Sequence, residues 1–384
     1  MTQNPHARDV AIVAGDFVRT GGMDRANFAL ADYLGRSGYT VELVAHRVAS
    51  ELASSPGIRF RRVPKPLGSY SLGEPLLDLV GRRAARTARA RGGVAIVNGG
   101  NCLAAPVNWV HYVHAAYRPS AVRAGRGVVH SLLDYRSRAR ERKALGLAGL
   151  VIANSAATRR VLIEEVGIPA ERAVVVYYGM DSSEFVPSGA EGALESRRRL
   201  GWPARLTVAF VGALGDRRKG FDTVFAAFRE LCRDPTWDVD VVAAGGGAEL
   251  ELWRARARDA GLEERVRLLG FRTDMQRVLT ACDAMVAPAR YEAFGLAAAE
   301  AIAMGLPTLV SRGAGIAELY PDELGDLLLD DPEDASELAR RLRSWRESPE
   351  RQRERIRPLS DRIRARTWDD MAAEIAELVE RRVP

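Results

Sequence analysis

Short, mostly apolar runs recur along the chain at 10–14, 40–45, 94–97, 149–153, 207–211, 239–243 and 283–287. Runs without polar alternation predict strands covered on both faces, the pattern of a parallel sheet. Further strands are predicted at 58–63, where the pattern alternates, and at 107–113, 266–271, 308–311 and 326–329. Helical stretches separate them, at 25–36, 76–90, 117–146, from 156, at 221–231, 296–304, 334–346 and 368–382. Residues 64–73 read as loop, and the Pro, Ser and Gly composition of 187–193 reads as a boundary, after which the strand and helix alternation starts again. The prediction is an α/β chain of two domains, for which 384 residues are ample.

Composition narrows the classes without naming one. The chain is 47% hydrophobic and 28% charged, ordinary for a globular protein. Its formal charge of +6 raises nucleic acid as a partner, but the arginines are scattered and no zinc spacing accompanies them, so nucleic acid is not expected. Of 56 basic residues only Lys65, Lys143 and Lys219 are lysines. Cys102, Cys232 and Cys282 are odd in number and lack C-x-x-C spacing, which predicts neither a disulfide framework nor a metal site. Residues 1–8 carry no apolar leader, and no apolar run approaches the roughly 20 residues that span a bilayer. A cytoplasmic protein is expected. The basic, helical stretch 117–146 is either a solvated helix with one packed face or an element that meets an acceptor or the inner membrane surface.

Candidate chemistry concentrates in residues 283–307. Pro288 ends the strand 283–287 because proline cannot donate to a ladder, a loop follows, and the helix 296–304 stops at Gly305 and Pro307. Phe294, Gly295 and Leu296 stand where that helix begins, so its unbonded N–H groups form an anion site beyond the strand's carboxyl end. Glu292 in the loop and Glu300 in the helix can face the same crevice. Acidic residues near a helix start also suit the macrodipole without any ligand, so residue types alone leave both readings open. Arg218 and Lys219 lie in the glycine-containing loop 212–220 before another helix, which reads either as a basic surface loop or as a site where backbone N–H groups and two cations would clamp a diphosphate. Gly21 and Gly22 follow the first strand and let backbone approach a ligand, although such pairs also simply make turns. His114 is placed at the carboxyl end of a parallel strand, the binding edge of such sheets, although a lone histidine there is more often structural. Asp238-Val-Asp240 has the spacing of a metal-binding pair but falls at a strand entrance and reads as structural.

The string P-x-x-x-E-x-F-G-L-x-x-x-E-A-x-A-x-G-x-P, from Pro288 to Pro307, is similar to the donor-site signature of the family 4 retaining glycosyltransferases, in which two glutamates stand eight positions apart. Lys219-Gly220, residues 151–155 and 174–185, and Gly313, Gly315 and Glu318 resemble other segments of that family, and Trp368 resembles the aromatic before its final helix. The resemblance implies the GT-B fold, two Rossmann-like domains facing across a cleft with a C-terminal helix crossing back to the first. It implies an acceptor-binding domain at 1–186 completed by 366–384, and a donor-binding domain at 187–365. The implied reaction is the retaining transfer of a sugar from a UDP- or GDP-sugar to an acceptor hydroxyl, on a glycan, a lipid-linked molecule or a small molecule, without metal and without a cofactor beyond the donor. By the same resemblance His114 and Glu292 contact the sugar, Glu300 the ribose, Lys219 and Arg218 the diphosphate, Gly21 and Gly22 the neighbourhood of the phosphates, and the main chain at Arg272 the nucleobase. Two positions depart from the family: Ala213 stands where a second cation is usual, and Tyr178 where asparagine is usual. They motivate the alternative of a nucleotide-sugar-binding partner with weak or lost catalysis. A dinucleotide oxidoreductase is disfavoured, because no G-x-G-x-x-G follows the first strand.

Overall fold

Every strand of the two main sheets runs parallel to its neighbours, as the unbroken apolar runs require. The computed structural model describes residues 9–104, 106–117 and 128–382. The reading of residues 1–8, and Arg118, Arg123 and Arg126 of the basic stretch, lie outside these. The chain divides into two compact units, the first ending at Gly179 and taking back Thr367 onward, the second running from Met180 to Arg366.

In the first unit the elements are β1 (Asp9–Val13), β2 (Asp16–Phe17), α1 (Gly22–Arg36), β3 (Thr40–Ala45), β4 (Arg47–Val48), α2 (Ser50–Ala53), β5 (Ile58–Arg62), α3 (Tyr70–Ala90), β6 (Val94–Asn98), β7 (Val107–Val110), α4 (Val128–Leu147), β8 (Leu150–Ala153), α5 (Ala156–Val161) and β9 (Ala173–Val175). Seven strands form one sheet in the order β5-β3-β1-β6-β7-β8-β9, and β2 pairs with β4 as a short flap. Ala11, Val13, Val44, Ala95 and Val97 meet Leu77, Ala84, Ala85 and Ala88 of α3 in the core on one side. Strand order reverses between β1 and β6, which makes the carboxyl ends of these strands a switch point and the natural crevice for a ligand.

The second unit continues with α6 (Gly189–Leu200), β10 (Leu206–Val211), α7 (Phe221–Leu231), β11 (Val239–Ala244), α8 (Leu250–Asp259), β12 (Val266–Gly270), α9 (Met275–Thr280), β13 (Ala284–Ala287), α10 (Leu296–Ala303), β14 (Thr308–Ser311), β15 (Leu328–Leu329), α11 (Ala335–Glu347) and α12 (Pro349–Ala365). Its sheet has the order β12-β11-β10-β13-β14-β15, with the switch point between β10 and β13. The last helix, α13 (Trp368–Arg382), belongs to the first unit and packs on α1.

Four expectations are corrected. Residues 64–73 are not all loop: Pro66–Gly68 form a 3-10 turn and α3 already begins at Tyr70. Pro66 and Gly68 do punctuate the chain, but the helix starts directly behind them from Ser69. Strand β7 stops at Val110 rather than 113, so His111 and His114 both lie past its end. The stretch 187–193 is mostly helix, since α6 starts at Gly189. The strand expected at 326–329 shrinks to Leu328–Leu329, because Asp322–Leu327 forms 3-10 turns. Helices α9 and α12 also exist where no element was expected. Asp240 is buried, and its carboxylate is held by Arg205, Arg265 and Arg267 at 3.0, 2.7 and 3.1 Å, consistent with a structural role for the Asp238-Val-Asp240 pair. The three cysteines are free. Among the described residues no helix is long and apolar enough to cross a membrane.

Candidate active site

In the second unit the loops after β10 and β13 meet at the switch point. Lys219 ends a 3-10 turn, Arg217–Lys219, and its Nζ donates to the Glu292 carboxylate in the loop after β13. Both side chains are about four-fifths buried, at 23% and 21% exposed. The two loops are riveted together beside this pair. Arg290 N donates to Arg218 O at 2.8 Å, and its guanidinium donates twice to Asp222, 2.9 Å each, and also to Glu333 and Arg217 O. Burial pushes the Asp222 carboxyl up, but Arg290 and Arg217 outweigh it and leave its pKa below the usual carboxylate range. Gly220 follows with φ +78°, and a Cβ there would lie 1.9 Å from Pro288 O, so only glycine permits this approach of the two loops.

Helix α10 begins one residue after Gly295, which has φ +108° and provides no side-chain cap. Ile316 N donates to Phe294 O and Gly315 N to Glu292 O, at 2.6 and 3.0 Å, so the turn after β14 holds the loop that carries Glu292. Phe294 and Leu296 are buried at the helix start. Glu300 is 6% exposed on a helix whose other residues are almost all alanine, an environment in which a carboxylate needs hydrogen bonds to offset its lost hydration. The second cation of the expected clamp is less available. Arg218 turns back on Asp216 at 3.0 Å, and Arg217 on Asp222 at 3.1 Å. Arg272 lies two strands away, after β12, with both guanidinium arms on Asp274 at 2.7 and 2.5 Å. That leaves its main chain, rather than its side chain, for any ligand. Beside it Phe271 is 73% exposed, with its Cβ 3.6 Å from where a Cβ of Gly246 would be.

At the switch point of the first unit, Gly21 has φ +83° and caps the start of α1 without a side chain. His114 follows β7, the next strand but one from β1. Its backbone N–H and Nδ1 both meet the carboxylate of Glu141 on α4, each at 2.9 Å. Glu141 is buried and fixes the imidazole's orientation. Around the glycine pair, Asp16 is 1% exposed and accepts from Tyr70 Oη at 2.7 Å and Arg47 at 2.8 Å. Asp24, in the first turn of α1, has its pKa raised to about 6 by burial and by the neighbouring Asp16 charge. Tyr178 is buried with Trp109, His111 and Trp368, and its hydroxyl meets His111 Nδ1 and Asn154 Nδ2. Burial alone takes His111 down to about 3, so it is neutral at ordinary pH. The departure at Tyr178 is thus accounted for by the interior of its own unit.

The structure therefore brings Lys219, Glu292, Phe294, Gly295 and Leu296 together, keeps Glu300 on the same helix, and places Gly21, Gly22 and His114 on one sheet edge of the other unit. Sequence reasoning missed Arg290, Asp222, Glu141 and the Asp16, Asp24, Tyr70 cluster. The first stood in plain view between Pro288 and Glu292; the others act through partners remote in sequence. A cavity of about 250 Å³ lies elsewhere, lined by Asp9, Thr40, Arg59, Arg61, Thr87 and Arg91 at the amino ends of β1 and β3.

Residues 194–358 match the Glycosyl transferases group 1 family and residues 20–184 match Glycosyltransferase Family 4. D-inositol 3-phosphate glycosyltransferase of Salinispora tropica is 27% identical over 340 residues, 81% of this chain and 70% of the relative. The enzyme of that description from Corynebacterium jeikeium is 32% identical over 249 residues, 62% of this chain and 58% of the relative. Among solved structures, WaaG, a glycosyltransferase involved in lipopolysaccharide biosynthesis, superposes with a TM-score of 0.75 at 18% identity, covering 96% of this chain and 99% of its own. Anabaena HepE in complex with UDP and glucose gives 0.68 at 20%, covering 98% and 100%. At such identities the structural likeness speaks for the fold, GT-B, while the two family matches between them take in most of the sequence: the chain belongs to family 4 of the group 1 glycosyltransferases.

Proposed function

We propose that this glycosyltransferase moves a hexosyl group from a UDP- or GDP-sugar to an acceptor hydroxyl with retention of configuration, the second unit holding the donor and the first the acceptor. The observation that carries the reading is the Lys219–Glu292 pair at the switch point, beside the uncapped start of α10. Names and ligands of relatives support the donor class, since HepE was solved with UDP and with UDP-glucose. In the transfer the bond from the anomeric carbon to the diphosphate breaks, a bond to the acceptor oxygen forms, and the hydroxyl proton leaves with the diphosphate. Charge develops on the departing phosphates. Lys219 and the N–H groups at the start of α10 answer it electrostatically, with no metal in the scheme. As the diphosphate takes the ammonium, Glu292 is released from its ion pair to the sugar hydroxyls. Glu300 on α10 is assigned to the ribose, and His114, oriented by Glu141, to the sugar from the acceptor side.

Calorimetry with nucleoside diphosphates, nucleosides and nucleotide sugars tests this. Lys219→Ala should weaken diphosphate binding by about 10- to 100-fold, the size of a charge-assisted hydrogen bond, and leave nucleoside binding within about twofold. Equal weakening of both would mean that Lys219 only holds the loops. Tight binding with neither hydrolysis nor transfer would favour the partner that has lost catalysis, the reading that Ala213 and the Arg218–Asp216 pair speak for.

A further inference from the structure

Two histidines follow β7, and the fold uses them differently. His111 is buried, and both its ring nitrogens serve the interior: Asn98 Nδ2 donates to Nε2 at 3.0 Å, and Nδ1 meets the Tyr178 hydroxyl. The His114 side chain is 48% exposed, and its Nδ1 and backbone N–H each lie 2.9 Å from the Glu141 carboxylate, at Oε1 and Oε2 respectively. The Glu141 side chain is 3% exposed, so a buried anion backs a ring that solvent still reaches. That carboxylate is itself fixed. Arg140, one residue before it, donates to Gly100 O at 2.8 Å and pairs with Glu74 and Asp78 of α3 at 2.7 and 3.4 Å. A Cβ added to Gly100 would lie 3.5 Å from Glu141 N, so α4 packs directly on the turn Gly99–Asn101. Asn108 of β7 holds the same turn, accepting from Gly99 N–H and donating to Gly99 O at 2.9 Å each.

This arrangement dictates where the imidazole proton sits. An ionised carboxylate can only accept hydrogen bonds, and a backbone N–H can only donate. Oε2 is taken by the His114 N–H, and Oε1 then requires a proton on Nδ1. The alternative, a carboxylic acid donating to a bare Nδ1, would leave the proton on the weaker base of the two. With Nδ1 protonated, the neutral ring presents Nε2 as a hydrogen-bond acceptor.

We propose that Glu141 is a positioning residue: by keeping the proton on His114 Nδ1 it makes Nε2 the atom that accepts a hydroxyl hydrogen from the sugar. A carboxylate suits this task because both of its oxygens accept. A carboxamide has one accepting oxygen, and in Glu141→Gln the backbone N–H of His114 claims it, since that donor cannot change its role. The amide NH2 is then turned to Nδ1, which must accept, and the proton moves to Nε2. The ring would stay in place with its polarity reversed. The sugar hydroxyl comes from the transferase reading, whereas the position of the proton is measured without any substrate.

Nitrogen-15 spectra of the full chain labelled at histidine report which ring nitrogen holds the proton. With five histidines in the chain, the His114 signals are identified by their loss in His114→Gln. At about pH 8, above the ordinary histidine range, the wild type should show Nδ1 protonated and Nε2 bare, and Glu141→Gln should show the reverse. Turnover is followed as release of nucleoside diphosphate from UDP-glucose, UDP-N-acetylglucosamine or GDP-mannose, whichever the wild-type chain consumes. Glu141→Gln should lower kcat by at least about tenfold and leave the binding of free UDP or GDP as it is in wild type. In a His114→Gln background the same change should cost nothing further, because the ring it positions is gone. A wild-type ring protonated at Nε2, or an unmoved proton in Glu141→Gln, would overturn the hold on the ring. So would equal losses of turnover with and without His114, which would reduce Glu141 to a brace between α4 and the loop after β7. An Nδ1-protonated ring in a chain that consumes none of the three donors would instead overturn the transferase reading, and the hydroxyl contact with it.

Discussion

Lys219 and Glu292 neutralise each other at the switch point, so under the proposed function a diphosphate would have to compete with a carboxylate for the ammonium. That competition gives Glu292 two opposed effects. In Glu292→Gln the lysine is no longer paired to a charge, and a bare nucleoside diphosphate should bind about two- to tenfold more tightly. Turnover should nevertheless fall by about 100-fold, if the carboxylate's contact to the sugar strengthens as charge develops there. Calorimetry and steady-state kinetics on one variant would separate the two effects. Weaker diphosphate binding would refute the exchange. A second residue-scale consequence concerns Asp24, raised to about 6 by burial and by Asp16, with Arg47 and Lys65 pulling the other way. A carboxyl raised in the folded state binds its proton more tightly there than when unfolded, so it destabilises increasingly as pH rises from about 4 to 6 and by a constant amount above that. Asp24→Asn should match wild-type stability near pH 4 and exceed it by about 1 to 2 kcal/mol at pH 7, measured by urea unfolding. A difference that does not change with pH would place the effect elsewhere.

At the scale of elements, the strands were legible because parallel strands covered on both faces leave apolar runs, unbroken in β8 and β13. What escaped has physical reasons. The start of α3 lay behind the punctuation of Pro66 and Gly68, and β7 stops short because past Val110 the chain is held by side chains, His111 O accepting from Asn154 and His114 N–H donating to Glu141. The candidate site was legible as motifs, Lys219-Gly220 and Glu292 to Glu300, but the contacts that the structure gives these residues were not. Lys219 and Glu292 are 73 residues apart, and His114 and Glu141 are 27 apart, distances at which no periodicity reports contact. The junction of elements is also where the fold is least tolerant. Gly220 combines a left-handed φ with a carbonyl 1.9 Å from any added Cβ, so Gly220→Ala must separate the loop after β10 from the loop after β13. We expect a loss of about 2 to 4 kcal/mol by urea unfolding, with weaker nucleoside diphosphate binding because Lys219 moves with the turn. A near-neutral change in both would show that the loops can part without consequence.

At the scale of the whole molecule, the units differ in how they are made from the chain. The second is continuous from Met180 to Arg366, whereas the first is completed only when the chain returns at Thr367 and lays α13 on α1. Met 371, Ala372 and Ile375 are fully buried in that contact and Val379 is 7% exposed, while Arg36 pairs with Asp369 at 2.7 Å and Tyr39 Oη donates to Glu380. Burying four such side chains is worth on the order of 5 kcal/mol, comparable with the total stability of many domains. A chain ending at Arg366 should therefore lose its first unit, as a missing or strongly lowered calorimetric transition, and keep its second. Added UDP or GDP, whichever binds the full chain, should still raise the remaining transition, because a ligand bound only to the folded state stabilises the unit that holds it. Retention of both transitions at their full-length temperatures would mean that α13 is an accessory to the first unit. Loss of both would mean that the second unit cannot stand without the first, contrary to its continuous sheet and its own buried core.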